Sequence, residues 1–206
     1  MTSPQRFWDD FYQERDDAPR KPNELLVREA DALTPGTVLD LGCAEGGDAI
    51  WFAERGWRVT AVDVSKTALD RAATHARNAG VADRIDWQRH DLARSFPEGV
   101  FDLVSAQFLH SPAEPEERVG ILRKATEAVA PGGLLLIVGH EGWPTWRENP
   151  PVGVHLPTVD EVLESLDLDT GRWDVERAES ILRDLPGPEG QPGTRTDNVL
   201  RVRSRR

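Results

Sequence analysis

The chain of 206 residues has a single cysteine, Cys43, so it can build neither an internal disulfide framework nor a cysteine-rich metal centre. No apolar run approaches the roughly 20 residues that a membrane helix needs. The opening residues, Met1 to Asp10, lack the apolar core of a secretion signal. A cytoplasmic protein without membrane contact is therefore expected. Lysine is scarce beside arginine, and positive charge is scarce altogether. The 25 Lys and Arg stand against 36 Asp and Glu, a net charge of −11. Nucleic-acid binders carry a basic footprint, so a nucleic-acid partner is not expected. The one basic cluster, Arg201-Val202-Arg203-Ser204-Arg205-Arg206, reads as a solvated chain end. Internal repeats and low-complexity blocks are also missing. What remains, 38% hydrophobic and 30% charged residues, is the balance of one ordinary globular domain.

Hydrophobic spacing divides the chain into alternating elements. Phe7 to Arg15 reads as a short aromatic-rich helix, and Pro22-Asn23 opens a second helix carrying Leu26, Ala30 and Leu33. From Val38 the chain alternates between short apolar strands and helices. Strands are predicted over 38–41, 58–62, 84–89, 101–107 and 134–138, with helices over 48–55, 65–79 and 116–130 between them. The third strand is polar and belongs near an edge, whereas Leu134 to Val138 is apolar throughout, as in a strand buried on both faces. This rhythm implies right-handed crossovers and a doubly wound α/β domain. Residues 140–157 hold four prolines and break it. Thr158 and Glu161 then form a capping box before a last helix. Two strands, 173–180 and 198–202, are expected to pair antiparallel across a Pro/Gly-rich loop.

The informative segment is Val38-Leu39-Asp40-Leu41-Gly42-Cys43-Ala44-Glu45-Gly46-Gly47. It joins a buried strand to a helix, where glycines allow the backbone to approach a ligand closely. About twenty residues on, the second strand ends in Ala61-Val62-Asp63-Val64, and an acid at that place can accept both hydroxyls of a ribose. Two kinds of nucleoside cofactor use such a pair. The dinucleotide fingerprint is G-x-G-x-x-G, set around a pyrophosphate at a helix N-terminus. Here the order is Gly42-x-x-x-Gly46-Gly47, and Asp40 and Asp48 flank the turn. Two carboxylates suit a ligand with an ammonium and a sulfonium better than a dianion.

At these residues the sequence resembles the class I S-adenosylmethionine-dependent methyltransferases. "VLDLGCAEGG" is similar to the family's first motif and "VTAVDVS" to its acidic second. "RHDL" at 89–92, "FDLVSAQFLH" at 101–110 and "PGGLLLIVG" at 131–139 follow in the family's order. The short chain and the N-terminal "FWDDFYQ…KPNELL" resemble the bacterial small-molecule branch near the thiopurine and tellurite-resistance methyltransferases. The resemblance implies a Rossmann-like seven-stranded, mostly parallel sheet with an antiparallel last strand and helices on both faces. It implies S-adenosylmethionine as cofactor and S-adenosylhomocysteine as product. It also implies a small-molecule acceptor presenting sulfur, nitrogen, oxygen or a chalcogen oxyanion. Gly42, Cys43 and Gly46 would line the methionine part, with Ala44 where the family usually has glycine. Asp40 would shape the turn and Asp63 would hold the ribose. Val64, Asp91 and the Leu92 amide would meet the adenine, and Gln107 would lie under the methionine end. One domain over 1–206 is expected: a helical lid at 1–34, a cofactor core at 35–139, a substrate loop at 140–157 and a C-terminal helix and strand pair at 158–206.

Methyl transfer from a sulfonium is an in-line displacement that needs positioning, and a base only if the acceptor arrives protonated. His110 and His140 fall after the fourth and fifth strands, where ligands of open α/β sheets bind. Either imidazole could take a proton, though each also suits the capping of a strand end. With His155 their spacing fits no compact metal motif, so no metal is expected. Trp8 and Tyr12, with Trp143 and Trp146, are candidates to close over an acceptor, the N-terminal pair being equally suited to packing the first helix on the sheet. His75 is expected on a solvated helix face, and Asn23 and Arg28 lie within reach of a cofactor carboxylate. Two other readings remain open: a cofactor-binding module without catalysis, and a methyltransferase acting on nucleic acid or protein.

Overall fold

The apolar strands that sequence spacing places first form the middle of one sheet. In a computed structural model, which describes residues 3–110, 115–151 and 153–205, β1 (Thr37–Leu41), β4 (Phe101–Gln107) and β5 (Val129–His140) lie side by side. With β2 (Arg58–Asp63), β3 (Ile85–Arg89), β6 (Trp173–Asp184) and β7 (Thr194–Ser204) they make a seven-stranded sheet in the order β3-β2-β1-β4-β5-β7-β6. The first five strands run parallel, and β7 runs antiparallel to both β5 and β6. The polar third strand lies at one edge, as its composition predicts.

Alternation along the central strands divides the core into two layers. Val38, Val59, Ala61, Leu103, Leu134 and Leu136 face α2 (Glu24–Ala30), α3 (Gly47–Glu54) and α4 (Lys66–Asn78) through Leu26, Phe52, Leu69 and Ala76. Leu39, Leu41, Val62, Val104, Leu135 and Ile137 face α5 (Pro115–Glu127) and α6 (Val159–Ser165) through Leu122, Ala125 and Val162. Helices cover both faces, so the buried strands need no polar side. Local signals fix the helix starts. Asn23, Ser65 and Thr158 each accept a backbone N–H from the first turn, and Thr158 with Glu161 completes the capping box. No helix among the described residues is long and apolar enough to cross a membrane.

Three expectations need correction. Val129, placed by helical spacing on the inward face of α5, begins β5 instead. The strand runs through Pro131-Gly132-Gly133, with a register shift against β4 between Phe101 and Leu103. A Cβ at Gly133 would stand 2.9 to 3.0 Å from three backbone carbonyl oxygens, so glycine is what lets these two backbones meet there. His75 is buried rather than solvated, between Asp17 and the Glu45 carbonyl. The arginine-rich end is folded: Arg201 lies within β7 and pairs with Glu29 and Glu176. Arg203 also pairs with Glu176, and Arg205 with Asp174.

Candidate active site

The strand order reverses between β1 and β4, because β1 pairs with β2 on one side and β4 on the other. The carboxyl ends of these strands therefore open a crevice. After Leu41 the chain turns at once, and the N–H groups of Gly42 and Cys43 both donate to the Val62 carbonyl at 2.9 Å. The turn uses left-handed backbone at Gly42 (φ 73°), Ala44 (φ 50°) and Gly46 (φ 83°). Alanine in this region is uncommon but tolerated, and the Ala44 N–H donates to Asp63 Oδ2 at 2.9 Å. The turn is thus intact where it departs from the family's usual glycine. Asp63 Oδ1 accepts from the Ser65 N–H at 2.9 Å. This buried carboxylate ties the first turn to the second.

Two cavities flank the turn. The smaller, about 110 Å³, is walled by Asp63, Val64, Asp91, Leu92, Leu109 and His110 and roofed by Trp8 and Tyr12. The larger, about 410 Å³, is walled by Asn23, Cys43, Ala44, Asp48, Gln107, Arg183 and Arg195. Gly42 and Phe108 border both, so an elongated ligand could cross the turn with one end in each.

The roof is α1 (Pro4–Gln13), capped by Ser3. Asp9 fixes it: its Oδ1 accepts from the Ser65 hydroxyl at 2.7 Å and from the Thr67 N–H at 3.1 Å, at the start of α4. The following segment is held by buried Glu45, which accepts from Arg20 at 2.7 Å and Arg71 at 3.0 Å. Tyr12 is buried beside Asp63, and burial with that neighbouring carboxylate pushes its phenol up, so it stays a neutral hydroxyl.

The turn is unusually acidic inside. Asp40 is 2% exposed, and its Oδ2 has no hydrogen-bond partner. Burial, then the Asp48 and Asp63 charges, push its carboxyl well above the ordinary range. Dehydration likewise pushes Asp48 up to about 6, against the pull of the Asn23 N–H it accepts at 2.6 Å. The Cys43 thiol rises by burial and the nearby Asp63 and Asp40 charges, so it remains protonated. An orphaned buried carboxylate beside a second, partly protonated one fits a cationic ligand and disfavours a pyrophosphate.

A second group gathers beyond β4 and β5. Phe108 is left-handed at φ 49°, a strained backbone for an aromatic residue, and its ring lies 4.4 Å from the His140 ring. The His110 and His140 rings are 5.5 Å apart. Lost hydration, then His140, Arg118 and Arg195, push His110 down to about 4. His110, which also meets solvent, is therefore neutral near pH 7. His140 Nδ1 lies 2.8 Å from Asp197 Oδ1. Asp197 is fully buried and also accepts from Arg183 at 3.2 Å and Arg195 at 3.1 Å. With Asp197 as the acceptor of this bond, His140 donates from Nδ1, and in the neutral ring that leaves Nε2 as an acceptor.

The expected site residues divide accordingly. Gly42, Cys43, Ala44, Asp63, Val64, Asp91, Leu92, Gln107, Trp8, Tyr12 and His110 border the cavities. Asp40 and Gly46 stand behind the turn and support it. Trp143 and Trp146 line neither cavity: Arg147 stacks on Trp143 at 4.8 Å, and Trp146 packs toward Gly193. Arg28 pairs with Glu29, whereas Asn23 lies in the larger cavity and donates to Gln107 Oε1 at 3.4 Å. Sequence reasoning misses Asp9, Arg183, Arg195 and Asp197. Asp9 finds its partners 56 and 58 residues away, and the other three meet only once β6 pairs with β7 and β7 with β5.

Residues 38–133 match the model of a methyltransferase domain family, and these residues hold the turn, Asp63 and both strands that open the crevice. The match spans a little under half of the chain. Along its sequence the chain is 26% identical over 164 residues to thiocyanate methyltransferase 1 of Brassica oleracea, covering 77% of the chain and 70% of the relative. It is 29% identical over 133 residues to 27-O-demethylrifamycin SV methyltransferase of Amycolatopsis mediterranei, covering 64% of the chain but only 48% of that relative. Its fold superposes on TehB from Haemophilus influenzae with a TM-score of 0.71 at 16% identity, over 97% of this chain and 67% of the other. These likenesses are consistent with S-adenosylmethionine as cofactor, whose sulfonium and ammonium match the acids beneath the turn.

That match predicts a pH dependence. A carboxyl raised in the folded state takes up a proton on folding, so the stability it contributes is present at low pH. For Asp48 that contribution fades as pH rises from the ordinary 3.8 of an unfolded aspartate to about 6. The cationic cofactor prefers the ionised acid, so its affinity moves in the opposite sense. Calorimetric titration should show S-adenosylmethionine binding tighten by up to about tenfold per unit as pH rises through 6. Asp48→Asn should flatten the slope. A slope unchanged in the variant would refute the assignment.

Proposed function

We propose that this chain transfers a methyl group from S-adenosylmethionine to a small-molecule nucleophile. One observation carries the reading: two confluent cavities meet at Gly42 and Phe108 on the carboxyl ends of the central strands, under the roof of Trp8 and Tyr12. The smaller would take the nucleoside, with Asp63 on the ribose and Val64, Asp91 and Leu92 around the adenine. The larger would take the methionine part along Gly42, Cys43 and Ala44, with Gln107 beneath it and Asp40 and Gly46 supporting the turn. When bound, the cofactor supplies an electrophilic methyl group on its sulfonium. The chain's own work is to hold donor and acceptor in line and keep water out. His140, oriented by Asp197, would accept a proton at Nε2 from an acceptor that arrives protonated, and neutral His110 would stand beside it. Trp143, Trp146 and His140 line neither cavity; His140 is kept because its ring lies against Phe108 and His110, which do, and the two tryptophans are left out.

Within this reading, residues 1–34 act as the lid, 35–139 as the cofactor core and 158–206 as the C-terminal support. The 140–157 segment contributes to the acceptor side through its first residue, His140. Net charge −11 supports a small acceptor over a nucleic acid. The single thiol, buried and unpaired, is compatible with a reducing cytoplasm. Incubation with methyl-labelled S-adenosylmethionine and a panel of small thiols, amines, phenols and inorganic anions should release S-adenosylhomocysteine with at least one of them. Failure to bind the cofactor at millimolar concentration would sink the reading. Binding without turnover across the panel would favour a non-catalytic module.

A further inference from the structure

The wall of the larger cavity opposite the glycine turn is basic, and the methyl-transfer reading above does not account for it. Arg183 on β6 and Arg195 on β7 both border this cavity, together with Gln107 and Phe108. Each is largely enclosed, with side chains 30% and 21% exposed. They come together because β6 and β7 pair with Arg183 opposite Arg195. Adjacent guanidiniums repel, and buried Asp197 holds them, taking Arg183 on Oδ2 and Arg195 on Oδ1. The same acid holds His140.

The charges do not balance. Two guanidiniums face one buried carboxylate. Among the described residues the only other acid on the pair is Glu24, 3.7 Å from Arg183 and 86% exposed, where water screens it. Arg195 gives Asp197 only its Nε, so its two terminal nitrogens have no protein acceptor among the described residues. Neither of them counts among the buried unpartnered atoms, so both are open to solvent beside the cavity that Arg195 lines. A fork of N–H donors left over in this way is the geometry that takes a carboxylate or another oxyanion in bidentate fashion. Two further cations border this cavity on its other side: Arg20, already taken by Glu45 and Asp16, and Lys21.

We infer that Arg183 and Arg195 form an anion-binding subsite for the methyl acceptor, so that the acceptor is a small molecule carrying a carboxylate or comparable oxyanion. The inference rests on the methyltransferase reading and narrows it. The subsite anchors the acceptor's charge at the hairpin while its nucleophilic atom points past Phe108 toward the cofactor. His140 is held by the same Asp197. One alternative source of the charge has to be separated: the carboxylate of the cofactor's own methionine part.

The test is direct binding to the protein saturated with S-adenosylhomocysteine, using benzoate and its neutral isostere benzamide as probes. Benzoate should bind at least tenfold tighter than benzamide, and Arg195→Gln should remove the difference. Arg183→Gln should reduce it. S-adenosylhomocysteine affinity of Arg195→Gln should stay within about twofold of wild type, which also shows that the variant is folded. Equal binding of the two probes, or no binding of either, overturns the subsite. A tenfold loss of S-adenosylhomocysteine affinity in Arg195→Gln overturns it differently, by giving the pair to the cofactor. Failure of the wild type to bind S-adenosylhomocysteine would instead refute the methyltransferase reading beneath it.

Discussion

Asp63→Ala should weaken S-adenosylhomocysteine binding by at least a hundredfold in calorimetric titration. The carboxylate is 7% exposed and already orders the site, accepting the N–H groups of Ala44 and Ser65. It has lone pairs to spare for two ribose hydroxyls. A hydrogen bond to a charged group is worth about 1.5 to 3 kcal/mol, so losing two costs roughly 3 kcal/mol or more. At about 1.4 kcal/mol per tenfold, that reaches a hundredfold before any loosening of the turn is counted. Asp63→Asn should fall between, because its amide keeps one acceptor oxygen but turns an N–H group toward a backbone donor. Binding within threefold of wild type in Asp63→Ala would remove Asp63 from the proposed cofactor site.

The largest loss of stability should come from Gly46→Ala. Gly46 is left-handed at φ 83°, and a Cβ there would lie 2.8 Å from the Trp87 ring and 2.9 Å from Ala72 Cβ. The ring and the methyl belong to β3 and α4, so neither can swing away as a surface side chain would. Left-handed backbone costs a non-glycine residue about 1 to 2 kcal/mol, and overpacking adds about 1 to 3. At about 2 to 4 °C per kcal/mol for a chain of this length, the thermal midpoint should fall by roughly 5 to 20 °C. Gly80→Ala is the control, since Gly80 has φ 74° with nothing within 4 Å of a new Cβ. It should show the backbone cost alone. Equal midpoint shifts in the two variants would mean that the Trp87 contact relaxes freely.

Much of this architecture is legible from local pattern because its causes are local. Leu134 to Val138 can only be a strand covered on both faces, and Ser65 and Thr158 announce their helices through their own side chains. The turn is legible for the same reason: Gly42, Gly46 and Asp63 are set by backbone geometry and by one distance along two adjacent strands. Where reading fails, the deciding partner is remote. Val129 has helical spacing, but pairing with Phe101 makes it a strand residue. His75 has a surface position on its helix and is enclosed by Asp17 and Glu45, 58 and 30 residues away in sequence. Sequence pattern points to the tryptophans of an irregular loop for the acceptor side and gives no sign that Arg183 and Arg195 of the last hairpin border the larger cavity. Asp197 stands two residues from Arg195, but only the pairing of the two strands brings Arg183 to the same acid.

The anchor of α1 has a consequence for timing. Asp9 grips the Ser65 hydroxyl and the Thr67 amide, and both follow directly on Asp63 and Val64 in the chain. The roof over the nucleoside cavity is therefore fastened to the floor's own continuation, two residues beyond the carboxylate that would hold the ribose. In the proposed reading a spent cofactor would leave past Trp8 and Tyr12 once that clasp opens, and the opening would free the Thr67 N–H while Ser65 still caps α4. Chemistry and departure would then be governed by separate parts of the molecule, the strand ends for one and a single aspartate on the first helix for the other. In many enzymes lid opening of this kind sets the turnover rate.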